Sequence, residues 1–296
     1  MKLYAPGYYK KFKCIADKCD HSCCVGWEID VESDTLEKYR NTNAPYGAAV
    51  IDSIVIDETP HFKLDEHERC PHLNENGLCK IILELGESFL CGICREHPRF
   101  YNYTEVAEVG IGMSCTEAAR IILSSPDYAA LEEAGEIDAE PGGIGFDGRA
   151  FREEIYRLLQ DRTRGYNERL AEIYQRYSID IGDDAEWLDA INSLEYLDEA
   201  HRELFMNYSS EHGEIRNDEH RERFLAYFIY RHVTEALDLE DLRARLSFCL
   251  FCERLFSSLI VAENAKTLDE IAVLARIISE EIEYSDDNTM ALMTLA

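Results

Sequence analysis

Apolar residues recur every three or four positions along the second half of the chain. In residues 150–177, Ile155 and Leu159 stand one helical turn apart within a longer set of this spacing. Thr267 and Glu270 have the spacing of a capping box, which marks the start of a helix. The pattern therefore predicts a bundle of packed helices. The other segments with this periodicity are residues 220–237, 239–264 and 267–284.

The first half of the chain shows only short periodic stretches. Residues 30–41, 79–88 and 116–124 predict short helices that are separated by loops. At the other end of the chain, we expect residues 285–296 to fray. The predicted fold is therefore mainly α. Its parts are an irregular cysteine-rich metal-binding module at residues 1–125, an acidic linker with Gly and Pro at residues 126–148, and an all-α helical domain at residues 149–296.

The composition is that of a folded, strongly acidic protein. The chain has 296 residues, of which 46% are hydrophobic, and 59 acidic residues against 30 Lys and Arg give a net charge of −29. Such a surface repels nucleic acid and anionic membranes, and it favours a basic protein partner. The sequence shows neither a secretory leader nor a run of about 18 apolar residues. We therefore expect a cytoplasmic protein.

Cysteines are concentrated near the N terminus. Nine of the eleven precede residue 116, and four lie in the stretch KCIADKCDHSCC at residues 13–24. In a reducing compartment such clusters indicate metal or redox sites before disulfides, and an odd number argues against a fully paired framework. Cys249 and Cys252 instead lie in the most apolar predicted helix. We expect these two to be small core residues.

The cysteine spacing matches none of the common metal motifs. The CxxC of Cys91 and Cys94 is followed by Arg95, whereas c-type haem attachment requires His at that position. The bacterial ferredoxin run is absent, and so are two CxxC pairs about 15–20 residues apart, as in a typical structural zinc site. Thiolates are good ligands for both zinc and iron–sulfur clusters. The residues by themselves leave the choice of metal open.

Three cysteine-bearing segments resemble a known group of proteins. The pattern C-x4-C-x3-CC within residues 14–24, CPHLNENGLCKI at residues 70–81 and CGICREHPR at residues 91–99 resemble the CxxCxxCC proteins, described as zinc- or iron-chelating. Within that group, YYKKFKCIADKCDHSCCVGWEIDV and ICREHPRFYN are most similar to the flagellin lysine-N-methylases. The resemblance covers about the first 115 residues.

This resemblance implies an activity, a cofactor and a set of ligands. The flagellin lysine-N-methylases transfer methyl groups from S-adenosylmethionine to lysine side chains of flagellin, and the family is associated with a [4Fe–4S] cluster. We therefore expect a protein-lysine N-methyltransferase with flagellin as its partner, S-adenosylmethionine as methyl donor, and a [4Fe–4S] cluster or, alternatively, zinc. The implied metal ligands are first Cys19, Cys23, Cys70, Cys79 and Cys94, and then Cys14, Cys24 and Cys91.

Two features of the sequence depart from the pattern of the family. The early cysteines are spaced more widely than CxxCxxCC, and the Gly-rich S-adenosylmethionine loop of ordinary methyltransferases is absent. The alternative function is therefore a non-enzymatic zinc- or iron-chelating interaction protein, and thiol redox chemistry is a third. The sequence does not identify the residues that bind S-adenosylmethionine or remove the lysine proton.

Polar and aromatic residues accompany the cysteines. Arg95, His97 and Arg99 follow Cys94 and are candidates for hydrogen bonds to sulfur, although charge compensation is the simpler role. His21 is a further candidate ligand, with an exposed polar residue as the simpler interpretation. Candidate aromatic cover for the site comprises Trp27, Phe100, Tyr101 and Tyr103, and candidate cations to offset the thiolate charge are Lys13, Lys18, Arg69 and Arg95.

Overall fold

The computed structural model describes residues 1–142, 145–210 and 217–295, and it divides into two compact units. The cysteine-rich unit comprises residues 13–98, and the helical unit comprises residues 1–12 together with residues 99–296. These bounds differ from the predicted divisions at residues 125 and 148. The reason is a β-sheet in the helical unit that takes strands from both ends of the predicted module. Outside the described residues lie Gly143 and Ile144 of the predicted linker, and residues 211–216 and Ala296 of the predicted helical domain.

Helices dominate the described part of the chain, which agrees with the predicted mainly α fold. In chain order they are α1 (Ser33–Asn41), α2 (Gly47–Asp52), α3 (Lys80–Leu85), α4 (Gly92–Glu96), α5 (Thr116–Ser124), α6 (Gly148–Leu159), α7 (Tyr166–Tyr177), α8 (Asp184–Ser193), α9 (Glu199–Phe205), α10 (Asp218–His232), α11 (Leu239–Ala262), α12 (Leu268–Ile278) and α13 (Asp286–Leu295).

The helices predicted from apolar periodicity are all present. The four periodic segments of the second half correspond to α6 with α7, α10, α11 and α12, and the short segments of the first half correspond to α1, α3 and α5. At the start of α12, the Glu270 amide donates to Thr267 Oγ1, and the Thr267 amide donates to the Glu270 carboxylate. The predicted capping box is therefore confirmed.

Strands form two sheets, and the sequence pattern predicted neither. In chain order the strands are β1 (Lys2–Pro6), β2 (Ile54–Val55), β3 (His61–Phe62), β4 (Arg99–Tyr103), β5 (Ala107–Ile111) and β6 (Leu131–Glu136).

The larger sheet belongs to the helical unit and has the strand order β4-β5-β1-β6. Strand β1 runs parallel to β5 and antiparallel to β6, and β4 runs antiparallel to β5. Only β5 is buried along its whole length, whereas β6 is half-buried or exposed throughout. These short strands lack the apolar alternation by which a strand is recognised in a sequence. Strand β6 also lies within the predicted linker, so that stretch is an ordered part of the sheet.

The core of the helical unit forms around α10 and α11, which are buried on nearly every side. Aromatic rings stack across it, with centroids 4.1 Å apart for Phe224 and Phe256 and 3.7 Å apart for Trp187 and Phe251. Cys249 and Cys252 lie fully buried in α11, as predicted. Several buried carboxylates are each neutralised by a guanidinium group, as burial of a charge requires. These pairs are Glu108–Arg152, Glu222–Arg169, Glu253–Arg221 and Glu283–Arg231.

The last residues of the described chain form a packed helix. After α12, a π-helical turn at Ser279–Glu283 leads into α13. The Asn288 side chain donates to the carbonyl oxygens of Glu195 and Glu281, each at 2.7 Å, and Leu292 is fully buried. The expected fraying was therefore wrong, because tertiary contacts hold this helix. No helix among the described residues combines the length and apolar content that crossing a lipid bilayer requires.

The cysteine-rich unit has its own small core. Helices α1 to α4 and the hairpin of β2 and β3 surround a cluster that includes Ile29, Tyr39, Val50 and Phe62. Five of its cysteines contribute to the same cluster or pack against it: Cys24, Cys70, Cys79, Cys91 and Cys94.

Candidate metal centre

Two segments far apart in the sequence run side by side to bring Cys24 to Cys70. The Cys70 amide donates to the Cys24 carbonyl oxygen at 2.8 Å, and the Gly26 amide donates to the Glu68 carbonyl oxygen at 3.0 Å. Val25 and Arg69 pair between them as an antiparallel bridge. Gly26 has a φ of +90°, a conformation that favours glycine, and it lets the chain leave this short ladder.

A tight turn then brings Cys79 back towards Cys70. The Asn74 side chain accepts hydrogen bonds from the amides of Asn76 and Leu78, each at 2.9 Å. Gly77 has a φ of +73°, which the turn requires. Cys79 is the N-cap residue of α3, where the amides of Ile81 and Ile82 oppose the effect of burial on its pKa. The sequence CPHLNENGLCK is therefore a loop that presents two sulfurs from its two ends.

The third contribution comes from Cys91 and Cys94 at the start of α4. Cys91 is the N-cap residue and is 1% exposed, and a hydrogen bond joins its sulfur to that of Cys94. Glu32 fixes this helix start, because its two carboxylate oxygens accept from the Gly92 amide at 3.0 and 2.9 Å. The Glu32 carboxylate also accepts from the Thr35 hydroxyl.

The five sulfurs of Cys24, Cys70, Cys79, Cys91 and Cys94 form the candidate metal centre. Cys24 and Cys91 interact electrostatically with Cys70 and with Cys79, and Cys94 interacts with Cys24, Cys70 and Cys91. Cys70 and Cys91 are buried, and Cys24, Cys79 and Cys94 are half-buried. The folded chain thus brings thiols from three separate segments to one place.

The protonation of these thiols depends on burial and on their neighbours. Burial raises the pKa of Cys70 to about 12 and also raises the pKa of Cys79, because a thiolate loses its hydration there. A hydrogen bond from Cys23 lowers the pKa of Cys24 to about 7, and Arg69 acts in the same direction. The Cys94 hydrogen bond lowers the pKa of Cys91 and raises that of Cys94. Several closely placed sulfurs therefore need a compensating cation before all of them can ionise.

His72 lies beside this group, but its ring is already fully engaged. Its Nδ1 and Nε2 atoms are each 2.9 Å from a hydroxyl, those of Tyr46 and Ser53 respectively. Its ring also contacts that of Phe62 edge to face, with centroids 4.8 Å apart. His72 therefore joins the cysteine loop to α2 and the β2–β3 hairpin, a role that sequence reasoning missed. The signal in the sequence that could have indicated this role is the position of the histidine directly after Cys70 and Pro71.

The remaining predicted ligands lie towards the surface. Cys14 and Cys23 are exposed, and Cys19 is half-buried. A Cβ atom on Gly77 would lie 3.9 Å from the Cα atom of Asp17, so the chain between Cys14 and Cys19 passes beside the turn that precedes Cys79. Of the first predicted set, the structure brings together Cys70, Cys79 and Cys94. It adds Cys24 and Cys91 from the second set.

The spacing of the sulfurs bears on the kind of metal. In the described residues, no three cysteine sulfurs lie within 4.8 Å of one another. A tetrahedral zinc site with Zn–S bonds of about 2.3 Å needs its sulfurs about 3.8 Å apart. No three of these sulfurs therefore have the mutual spacing that a bound zinc ion imposes on its ligands.

The accompanying residues divide between the two units. Arg95 lies 3.4 Å from the Glu96 carboxylate, and the His97 ring lies 6.3 Å from that of Trp27, all within the cysteine-rich unit. Arg99 instead belongs to the helical unit, where it donates to the Tyr9 hydroxyl at 3.0 Å. The other predicted partners in the helical unit are Phe100, Tyr101 and Tyr103 in β4.

Comparison with known proteins relates the chain to flagellar proteins. Over 136 residues, which are 43% of this chain, it is 28% identical to the Flagellar biosynthetic protein FliU of Salmonella muenchen, and the match covers 80% of that protein. Over a match of the same length it is 27% identical to proteins named Lysine-N-methylase from Salmonella typhimurium and Salmonella choleraesuis. That match spans about a third of the two methylases, 34% of each.

These relatives support the resemblance to the lysine-N-methylases that the cysteine-bearing segments indicated. No family model matches the chain, and no solved structure matches it. The similarity therefore rests on the curated sequences, while the placement of the cysteines comes from the structure of this chain.

Proposed function

We propose that this protein is a protein-lysine N-methyltransferase that acts on flagellin, takes its methyl group from S-adenosylmethionine and holds a [4Fe–4S] cluster in its cysteine-rich unit. The observation that carries the proposal is the similarity to proteins named Lysine-N-methylase and FliU. The convergence of five cysteine sulfurs from three segments supports the metal part of the proposal.

The donor set of the candidate metal centre fits a [4Fe–4S] cluster. Such a cluster needs four thiolate ligands, and five sulfurs are available in the candidate metal centre. Backbone amides at His72 and at the start of α3 favour the thiolate forms of Cys70 and Cys79, as amide groups do in cluster sites. A bound cluster would supply positive charge and cross-link the three segments.

Methyl transfer asks mainly for alignment and for an unprotonated amine. The lone pair of the neutral lysine nitrogen attacks the methyl carbon, the carbon–sulfur bond of the sulfonium breaks, and S-adenosylhomocysteine leaves with that electron pair. The lysine gives up a proton to a base or to solvent before the attack. The net charge of −29 attracts a lysine-bearing segment of the substrate towards the protein.

The test of the activity uses purified, metal-replete protein with flagellin and labelled S-adenosylmethionine. We expect label on flagellin lysines, located by mass spectrometry. Protein with Cys249→Ser should retain the transfer, because this residue lies in the core of the helical unit. Absence of label on any flagellin lysine would overturn the methyltransferase proposal.

The test of the cluster is metal analysis of anaerobically purified protein. We expect a brown protein with about four irons per chain. Colourless protein with one or two zinc ions would contradict the [4Fe–4S] proposal while leaving a structural role for the cysteines.

One observation favours the alternative of a non-enzymatic metal-chelating interaction protein. The matched region covers only 34% of the Lysine-N-methylases, so the similarity does not extend over most of their length. In that case the protein would bind metal and flagellin without transferring label. Co-sedimentation with flagellin in the absence of methylation is the outcome that separates the two functions.

A further inference from the structure

A cleft of about 490 Å³ opens in the helical unit, where α6 faces the sheet. Part of its wall is aromatic and apolar: Tyr4 comes from β1, Leu131 from β6, and Tyr156 from α6, with Val106 and Ala129 beside them. The cleft has the volume of a small-molecule site. It shares no residue with the candidate metal centre.

Two arginines of α6 share a single buried carboxylate at this cleft. Arg152 binds Glu108 with both of its terminal nitrogens and donates to the Thr234 hydroxyl at 2.8 Å. Arg149 places its Nε atom 3.1 Å from the same Glu108 carboxylate. Arg152 and Glu108 are 2% and 1% exposed, and they neutralise each other. The charge of Arg149 is therefore left over at the cleft wall.

Arg149 also has an unsatisfied donor. Its Nε atom is buried and makes no hydrogen bond to the described residues, despite its closeness to Glu108. The Arg149 side chain as a whole is 30% exposed and lines the cleft, so its charge is accessible to an anionic ligand there. Only glycine fits at position 148, because a Cβ atom there would lie 2.5 Å from the Thr234 carbonyl oxygen. The start of α6 is thus packed tightly against the backbone at Thr234.

A carboxylate of the opposite sign stands one helical turn away. Glu153 follows Arg149 by four residues on α6, lines the same cleft and is exposed to solvent. A guanidinium and a carboxylate side by side match the carboxylate and ammonium of an α-amino acid group. The aromatic and apolar walls match an attached ring system.

We infer that this cleft binds a small molecule with a zwitterionic amino-acid end on an aromatic or apolar body. Arg149 binds its carboxylate, Glu153 binds its ammonium, and the rings of Tyr4 and Tyr156 contact its body. S-adenosylmethionine belongs to this chemical class. Its assignment to the cleft rests on the function proposed above, because that function supplies the reason for the chain to bind it.

The test is isothermal titration calorimetry of the full chain with S-adenosylmethionine. We expect Arg149→Leu to weaken binding at least tenfold, because the ligand carboxylate loses its partner. Glu153→Lys should weaken binding several-fold by repelling the ammonium, and it tests the site independently of folding, since Glu153 is exposed. The matched control is Arg157→Leu, an exposed arginine of the same helix outside the cleft, which should bind like the unaltered protein.

A second ligand separates the two ends of the site. 5′-Deoxy-5′-methylthioadenosine keeps the nucleoside but lacks the amino-acid group, so its affinity should be equal in the unaltered protein and in both cleft variants. Equal S-adenosylmethionine affinities in the unaltered protein, Arg149→Leu and Glu153→Lys would overturn the assignment. So would the absence of any binding to the unaltered protein.

The same proteins distinguish failure of this inference from failure of the proposed function. Methyl transfer that survives Arg149→Leu and Glu153→Lys would retain the methyltransferase and reject the cleft. Binding that depends on both residues, in a protein that transfers no methyl group to flagellin, would retain the cleft and reject the methyltransferase.

Discussion

At the scale of single residues, the environment of each sulfur separates two kinds of cysteine. Backbone amides of His72, Ile81 and Ile82 favour the thiolate forms of Cys70 and Cys79, and both residues interact with other thiols. Cys249 and Cys252 are fully buried in α11, where burial keeps their pKa well above the usual range. Thiols of the first kind are prepared to become thiolates with a cation present, and thiols of the second kind serve as small apolar side chains.

The first prediction ranks the cysteines by this environment. Cys24→Ser and Cys91→Ser should each lower the bound metal strongly, because a hydroxyl ionises poorly and is a hard ligand. Cys14→Ser should keep the metal, since Cys14 is exposed. Metal analysis of the three purified variants measures the ranking. Cys249→Ser is the control for folding and should cost about 1–3 kcal/mol of stability with unchanged metal. Full metal loss in Cys14→Ser with retention in Cys24→Ser would reverse the assignment.

The second prediction concerns the buried pair of His232 and Glu283. His232 Nε2 lies 2.7 Å from the Glu283 carboxylate, but Arg231 already neutralises that carboxylate. Burial lowers the pKa of His232 below its usual 6.5, and the positive charges of Arg231 and Arg245 act in the same direction. The unfolded chain therefore takes up a proton below pH 6.5 that the folded chain does not. Stability should fall as the pH falls through this range, by at most about 1.4 kcal/mol per pH unit.

The measurement for His232 is urea unfolding at pH 7.5 and pH 5.5. Between these values the unaltered protein should lose about 1 kcal/mol more than His232→Gln, in which the amide keeps a donor for Glu283 without titrating. Equal losses in the two proteins would show that His232 takes up its proton equally in the folded and unfolded chains, which would contradict the prediction.

At the scale of elements, some helices and strands are predictable from their own sequence, whereas others depend on tertiary contacts. Helices α10 and α11 have long apolar stretches, and this pattern alone indicates that they are buried. Strand β6, with the sequence LEEAGE, has no apolar stretch and depends on backbone pairing with β1. Helix α13 is intermediate, because a few inward-facing residues hold an otherwise exposed segment.

The third prediction tests how α13 is held. Leu292→Ala should lower the free energy of unfolding by about 2–5 kcal/mol, because it opens a cavity against fully packed neighbours. The matched control is Met290→Ala on the same helix, where the side chain is 61% exposed and the expected change is within about 0.5 kcal/mol. Urea unfolding of both variants gives the comparison. A frayed helix would instead make the two substitutions equally harmless.

At the scale of the whole molecule, the two units have different sources of stability. The helical unit has a large apolar core with paired buried charges, whereas the cysteine-rich unit has short elements and a small core. A small core leaves little free energy beyond the cost of ordering its loops. In the cysteine-rich unit, the free energy of metal binding would offset the cost of ordering the loops.

The fourth prediction is that metal removal loosens only one of the two units. Hydrogen exchange after chelation should show lost protection across residues 13–98 and retained protection in the helical unit. Residues 99–111 are the sharpest indicator. They lie next to the cysteines in the sequence but form β4 and β5 of the other unit, so they should stay protected. Loss of protection throughout both units would mean that the chain unfolds as one cooperative body.

The sequence by itself determined the features that depend on neighbours a few positions away. Apolar periodicity predicted the long helices, Thr267 and Glu270 marked the start of α12, and the buried role of Cys249 followed from its apolar helix. Cysteine-bearing segments with recognisable spacing pointed to the metal centre and to the lysine-N-methylases, because residue type sets the chemistry of a ligand.

Only the tertiary structure decided which distant residues meet. Cys24 reaches Cys70 through a ladder between segments more than forty positions apart, while Cys14, close to Cys24 in the sequence, stays exposed. Strand β1 precedes the cysteines in the sequence but pairs with β5 and β6 in the helical unit. This pairing also depends on the path of the whole chain. Such contacts follow from loop closure and from the packing of many residues at once, and no local pattern encodes them.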